Sequence, residues 1–281
     1  RKRYSVKIQE VIDALEQFAP LPMQEDYDNA GLQVGLTEVE VSGALLCLDV
    51  TEEIIDEAMK KNCNLIVSHH PLIFHKLRRV TCEDAVQRTV WKALEHHVTV
   101  VSMHTNMDAV EGGVNYKIAE KLGLQKVRLI GKKQVVEVHC SSQSGQQVSG
   151  KRYGGEGIIG EFPEPLAADD LIQMLHQRFV VECVQSNQLL RREIRKVALC
   201  GGAGSFLLDH AIVAGADAFI TGEMHYHEFF GHDQQIQICV IGHYQSEQYT
   251  KEIFRKIIED NCPGVRCCLS EINTNPILYF S

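Results

Sequence analysis

The sequence predicts an α/β fold, and three observations carry that expectation. Short apolar runs alternate with amphipathic helical stretches along most of the 281 residues, which is the pattern of strands and helices packed in layers. Four of the apolar runs pass directly into ligand-type side chains. NLIVSHHPLIF reaches His69 and His70, VTVVSMHTNMD reaches His104 and Asp108, DAFITGEMHYHE reaches Glu223, His225 and His227, and QICVIGHYQSE reaches His243 and Glu247. Ligands of open α/β sheets bind just outside the carboxyl ends of the strands. Four strand ends bearing His, Asp and Glu therefore predict one shared metal site built from distant parts of the chain.

The elements follow in order. Apolar residues at helical spacing, interrupted by Gln9, Glu10, Asp13 and Glu16, predict a helix over 5–18 and exclude a secretion signal there. Asp28 to Gly35 reads as a polar turn leading into an apolar stretch. A strand over 43–50 meets Thr51, an N-cap with Glu52 and Glu53 behind it, for a helix to Lys60. Strand 64–68, a helix near 83–96, strand 98–102 and a helix over 115–122 closed by Gly123 come next. The polar, Gly- and Ser-rich stretch from Lys132 to Gly160 predicts a long hairpin tip or loop. A short strand at 158–162, a turn at Glu164-Pro165 and a helix over 167–178 lead to the second half. There the expectation is strand 196–200, helix 205–214, strands 217–221 and 236–241, helix 244–259 and a strand near 265–270. This divides the chain into an N-terminal lobe (1–126), a connecting region (127–196) and a C-terminal lobe that completes the metal site (197–281).

Composition narrows the function. A net charge of −9 argues against nucleic acid as a routine partner, because phosphate binding needs a basic face. The one dense basic cluster, Arg191 to Lys196, reads as a solvated connection into a strand. Cys47, Cys200 and Cys239 lie inside apolar strand patterns, and no C-x-x-C pair occurs, so the ten cysteines predict neither a disulfide framework nor a cysteine zinc knuckle. A reducing cytoplasm and no membrane span are expected.

The candidate ligands each have a plain alternative. His69 and His70 are adjacent, so on extended chain they point to opposite sides. They could serve two metals, serve one metal at a bend, or face solvent. His243 and Glu247 are spaced i, i+4, which sets imidazole and carboxylate one turn apart on one helix face, suited to chelation or to simple exposure. Asp108 offers a carboxylate able to bridge two cations, and His104 reads as a neighbour that orients it or a water. Glu223 stands at a strand end and reaches the site more directly than His225 and His227, which read as surface residues. CGGAGS, from Cys200, fits either a tight turn or an anion-binding helix start.

Six landmarks in order resemble one family: DNAGLQVG from Asp28, SHHPLIF from Ser68, HTNMD from His104, CGGAGS from Cys200, TGE from Thr221 and GHYQSE from Gly242. They are similar to the GTP cyclohydrolase 1 type 2 homologues, or Nif-three-like proteins. Tyr27 stands where that family usually has Trp, at a position expected to pack. The resemblance implies two intertwined α/β lobes with a dinuclear metal centre between them, ligated by His69, His70, Asp108, His243 and Glu247, with His104 beside the metals. It also implies a toroidal homohexamer. The PII-like domain that many longer members insert is not expected, because 127–196 is too short.

Mixed imidazole and carboxylate ligands suit zinc, iron, manganese, cobalt or nickel, and suit calcium poorly. Five protein ligands shared by two metals leave positions for water, as catalytic sites do. The expected function is metal-dependent hydrolysis of a nucleotide or other small phosphorylated compound, with Glu223 or His104 as the proton-transfer group. The alternative is a non-enzymatic metal chaperone or storage ring, or a regulatory protein stabilised by its metals.

Overall fold

The computed structural model describes residues 5–141 and 147–280. The chain runs α1 (Ile8–Phe18), β1 (Gly31–Val34), β2 (Ala44–Cys47), α2 (Glu52–Lys60), β3 (Leu65–Ser68), α3 (Ala85–Glu95), β4 (Thr99–Ser102), α4 (Thr105–Ala109), α5 (Val114–Leu122), β5 (Gln125–Ile130) and β6 (Gln134–Ser141). It continues through β7 (Gln147–Gly154), β8 (Gly157–Leu166), α6 (Ala168–Phe179), β9 (Gln185–Ser186), β10 (Ile194–Cys200), α7 (Leu208–Val213), β11 (Ala218–Thr221), β12 (Gln237–Val240), α8 (His243–Glu247), α9 (Thr250–Asn261) and β13 (Cys267–Leu269). This is a mixed α/β fold. Its chain divides into two compact units, one of residues 1–107, 136–152 and 250–274, the other of 108–135, 153–249 and 275–281.

The first unit holds a five-stranded sheet in the order β1-β4-β3-β2-β13. β2, β3, β4 and β13 are parallel, and β1 closes one edge antiparallel to β4. The four residues of each of β2, β3 and β4 are all buried, which is why they read as unbroken apolar runs instead of alternating ones. Leu45, Ile66 and Val100 from these strands pack with Ile54 and Ile55 of α2 and Val90 of α3. Burying each such side chain contributes roughly 1.5–3 kcal/mol. The Thr51 hydroxyl caps α2 by accepting from Ile54 N, and the Asp84 carboxylate caps α3 by accepting from Gln87 N at 2.8 Å. Glu57, buried on α2, accepts from Ser270 Oγ at 2.6 Å and Glu271 N at 2.9 Å, tying the helix to the chain that leaves β13.

The second unit holds a six-stranded sheet in the order β5-β8-β10-β11-β12-β9. β10, β11 and β12 are parallel, and β8 and β9 run antiparallel to their neighbours. Ala198, Phe219 and Ile238 pack with Leu207 and Ala211 on one face. Segment 127–196, set apart in the sequence as a connection, supplies β8 and α6 to this unit, while 136–152 of it packs in the first.

Several boundaries differ from expectation. Glu164-Pro165 is no turn: β8 runs through both prolines, Pro163 and Pro165, to Leu166. Proline has no N–H for the ladder, and the pairing with β10 slips where they lie, between Ile194 and Lys196. The polar middle, expected as a long hairpin tip or loop, is largely strand: β6 and β7 pair in a two-stranded sheet, and residues 142–146 of the expected tip lie outside the described residues. The expected helix 244–259 is broken at Gln248-Tyr249 into α8 and α9. Among the described residues no helix is long and apolar enough to cross a membrane.

The cap at Thr51 gives a direct check. Thr51→Ala is expected to destabilise the protein by about 1 kcal/mol, because Ile54 N loses its acceptor. Thr51→Ser should restore the wild-type midpoint in thermal unfolding.

Candidate metal centre

In the first unit three parallel strands deliver the functional side chains in one row. Cys47 pairs with Ser68 and Ser68 with Ser102, so the residues two further along, Asp49, His70 and His104, emerge together at the sheet's carboxyl edge. His69 is fully buried, and its Nδ1 lies 2.8 Å from the Met103 carbonyl. His70 Nδ1 lies 2.7 Å from Asp49 Oδ1, and His104 Nδ1 lies 2.8 Å from Asp28 Oδ1. In each case the acceptor takes the Nδ1 proton, so Nε2 is the nitrogen turned to a ligand. The three rings lie 5.0–5.4 Å apart between centroids, and one nitrogen from each lies within 4.8 Å of the other two. Such spacing could hold a cation, and the full burial of His69 keeps that ring from facing solvent.

The acceptors are themselves fixed. Asp28 also receives Thr105 N at 3.0 Å, and its side chain is fully buried. Burial pushes its acidity down, but the bonds from His104 and Thr105 outweigh this and hold its pKa at about 2. Asp49 accepts from Thr274 Oγ1 at 2.6 Å, and it too stays below the ordinary carboxylate range, since His70 and Thr274 overcome its burial. Neither Asp28 nor Asp49 stood out in the sequence as a site residue. Asp49 carried a usable signal, because ALLCLD is another apolar strand ending in a ligand-type side chain.

The second unit builds its part on glycine turns at the ends of β10, β11 and β12. His243 opens α8, with Nε2 3.0 Å from Glu247 Oε2 and Nδ1 3.0 Å from Glu223 Oε1. The i, i+4 pair thus closes as the spacing predicts, with Glu247 buried and His243 half-buried. Burial disfavours a charged imidazole there, yet the bonds and charge of Glu247 and Glu223 prevail and raise the His243 pKa to about 9. The imidazole is a cation held between two carboxylates, and a metal at Nε2 would take the proton's place. Gly202, at φ +61°, passes directly over this pair, and a Cβ there would run into the Glu247 carboxylate. The neighbouring amides are committed inside the protein: Gly201 N to Asn115 Oδ1 at 2.9 Å, Gly202 N to Ser246 Oγ at 2.9 Å and Gly204 N to Thr221 Oγ1 at 3.1 Å. CGGAGS is thus a tight turn with these three amides spent inside the protein. Asn115 also donates to the Asp108 carbonyl at 3.3 Å, fixing the short helix that carries Asp108. His225 and His227 are exposed. Burial first, then the charges of Asp108, Glu247 and Glu156, push the Cys200 thiol up.

The Asp28–His104 bond makes a pH prediction. The folded pKa of Asp28 lies below its ordinary 3.8, so its contribution is full above pH 3.8 and lost as pH falls through about 2. Asp28→Asn should cost about 1–3 kcal/mol at pH 7 in metal-stripped protein. Urea midpoints of variant and wild type should converge between pH 4 and pH 2, and a constant gap across that range would count against this account.

Relatives share this architecture. The chain is 31% identical over 243 residues to a GTP cyclohydrolase 1 type 2 homolog of Clostridium perfringens, covering 86% of this chain and 87% of that protein. It is 28% identical over 257 residues to the homolog of Clostridium acetobutylicum, covering 91% and 90%. Among solved structures, a hypothetical protein of Staphylococcus aureus superposes with a TM-score of 0.85 at 25% identity, over 98% of this chain and 100% of that one. A Bacillus cereus protein related to NIF3 gives a TM-score of 0.81 at 22% identity, over 98% and 99%. With residues 6–276 matched, the chain belongs to the Duf34/NIF3 (NGG1p interacting factor 3) family.

Proposed function

We propose that this protein is a metal-dependent hydrolase acting on a nucleotide or another small phosphorylated compound. In this reading His69, His70, Asp108, His243 and Glu247 would together hold two metal ions. The observation that supports it best is the anchoring of His69, His70, His104 and His243 at Nδ1, which leaves Nε2 of each as the ligand or proton-carrying atom. The donor set mixes imidazole with carboxylate, which suits zinc, iron, manganese, cobalt or nickel. When bound, such cations supply Lewis acidity and lower the pKa of water.

The chain's own groups then divide the work. His104, backed by an ionised Asp28, takes and returns a proton at Nε2. Glu223 holds the His243 ring in position, and its exposed carboxylate can also accept a proton from solvent. Five protein ligands leave room for water and substrate. We place this chemistry in the cytoplasm, where thiols such as Cys47 and Cys239, buried among apolar side chains, stay reduced.

Metal analysis of reconstituted protein tests the centre. About two ions per chain are expected, and an Asp108→Ala/Glu247→Ala variant should hold few or none. Retention of wild-type metal by that variant would overturn the ligand set. Chelation should lower the melting temperature yet leave a cooperative transition, because both sheets have apolar cores without the metal. Turnover of a panel of nucleotides and phosphate esters should depend strictly on metal. Reversible metal exchange without turnover would favour a chaperone or store.

We further propose a homohexameric ring with the metal sites facing its interior, so that small substrates enter and folded macromolecules do not. Exposed Ile277, Leu278 and Phe280 at the C-terminal end are apolar surface of the kind a second chain covers. Sedimentation velocity at micromolar concentration should show one species near six times 31.6 kDa. A single monomer peak would rule the ring out.

A further inference from the structure

We infer that the second unit carries a pocket for a planar nitrogen heterocycle of the nucleobase type, formed between edge strand β9 and the loop that follows β11. The pocket has a volume of about 540 Å³, inside the usual range of small-ligand sites. One wall is aromatic: Tyr226, Phe229 and Phe230, with Met224 below them. Met224 and Phe229 are half-buried against the core beneath, so they anchor the wall. Tyr226 and Phe230 stand 73% and 62% exposed, a large apolar area to leave in water. Their rings meet at 74° with centroids 5.3 Å apart, and His227 stacks against Phe230 at 6.2 Å. Two rings set at right angles offer a stacking face and an edge contact to one flat guest.

The rest of the lining is polar: the amide side chains of Gln185, Asn187 and Gln188, with Ser186, Gly231 and Asp233. Gln188 Oε1 accepts from Gln234 Nε2 at 3.1 Å, which fixes the side chain and leaves its own Nε2 as a donor. The Asn187 side chain is spent on backbone, donating to Ile236 O at 2.9 Å and accepting from Ile238 N at 2.8 Å, and so fixes this part of the lining. Gln185 is exposed on β9, able to donate and accept. An aromatic face sharing one pocket with amide side chains matches a heteroaromatic base, which has a π-face and a ring of donors and acceptors. An aliphatic or purely anionic guest would leave one part of the lining unused. Met224 follows directly on Glu223, which holds His243, so base pocket and metal ligands share one loop. That link rests on the nucleotide reading above. The pocket itself does not.

The test uses metal-stripped full-length protein, so that base binding is read apart from hydrolysis. Adenosine, guanosine and their 5′-monophosphates are titrated by calorimetry, with ribose 5-phosphate as the base-free probe. At least one nucleoside should bind saturably, and ribose 5-phosphate should neither bind nor compete. Tyr226→Ala and Phe230→Ala should each weaken binding by about tenfold or more, with unchanged thermal unfolding. Gln188→Leu should change the order of preference among bases, which loss of an apolar surface alone would not do. Absence of nucleoside binding, or equal affinity in both aromatic variants, would overturn the inference. So would oxidative footprinting that finds Tyr226 and Phe230 covered by a second copy before any ligand is added. Two bound metals with metal-dependent turnover, but no nucleoside binding, would sink the base pocket and leave the hydrolase standing. Nucleoside binding without metal or turnover would do the reverse.

Discussion

The second bond of each imidazole is the interaction on which the rest of the structure depends. A histidine offers a ligand nitrogen only if its other nitrogen is told which way to face and which proton to keep. Here Met103 O, Asp49, Asp28 and Glu223 do this for His69, His70, His104 and His243. Each acceptor comes from a different part of the chain, so the folding of whole sheets is needed to orient single rings. The parallel register explains how. Cys47, Ser68 and Ser102 are neighbours across three strands, and two residues beyond each stand Asp49, His70 and His104. Cys200, Thr221 and Val240 are neighbours in the other sheet, and two residues beyond each stand Gly202, Glu223 and Gly242. Both units use the same row of their sheets, the first for imidazole and carboxylate, the second for one carboxylate between two glycines.

Those glycines are a packing requirement more than a flexibility. Gly242 at φ +99° starts α8, and a Cβ there would collide with the Gln245 side chain. Gly222 lies under the Gly202 carbonyl and the start of α8, where a Cβ would meet Gly202 O at 2.6 Å. The backbone of three strand ends is thereby drawn in close enough for Ser246 and Thr221 to satisfy amides that would otherwise be buried unpaired. His243 and Glu247 can then sit close against the backbone.

Much of this was legible before the structure. Fully buried parallel strands are short apolar runs with abrupt polar ends, so their positions and His69, His70, His104, Glu223 and His243 stood out together. The i, i+4 spacing tied Glu247 to His243. Asp28 and Asp49 did not stand out, for different reasons. Asp28 sits in a turn, where aspartate is common for purely local reasons, and its partner His104 is 76 residues away. Asp49 stands just before an N-cap, and the helix signal of Thr51 to Glu53 masked it. The break between α8 and α9 was hidden because both pieces have helical composition. The slip at Pro163 and Pro165 was hidden because the partner strand's register decides whether prolines turn a chain or merely interrupt a ladder.

The charge pattern shows what such a set of anchors is for. Glu223 and Glu247 both point at one imidazole, an arrangement that would cost free energy through repulsion if nothing positive stood between them. Without a metal a proton supplies positive charge there: Glu247 and Glu223 raise the His243 pKa to about 9. His70 and His104 each have one carboxylate at Nδ1 instead of two on the ring, and Asp49 and Asp28 are held ionised beside them. An ionised anchor orients the ring and suits Nε2 to serve as a ligand. His69 alone leans on a neutral carbonyl, so it adds a nitrogen without adding charge. A cation taken up at Nε2 of His243 would displace that proton, so its binding would be coupled to proton release. A surface network assembled for stability would gain little from this, since its carboxylates would be spread out and each paired with a lysine or arginine.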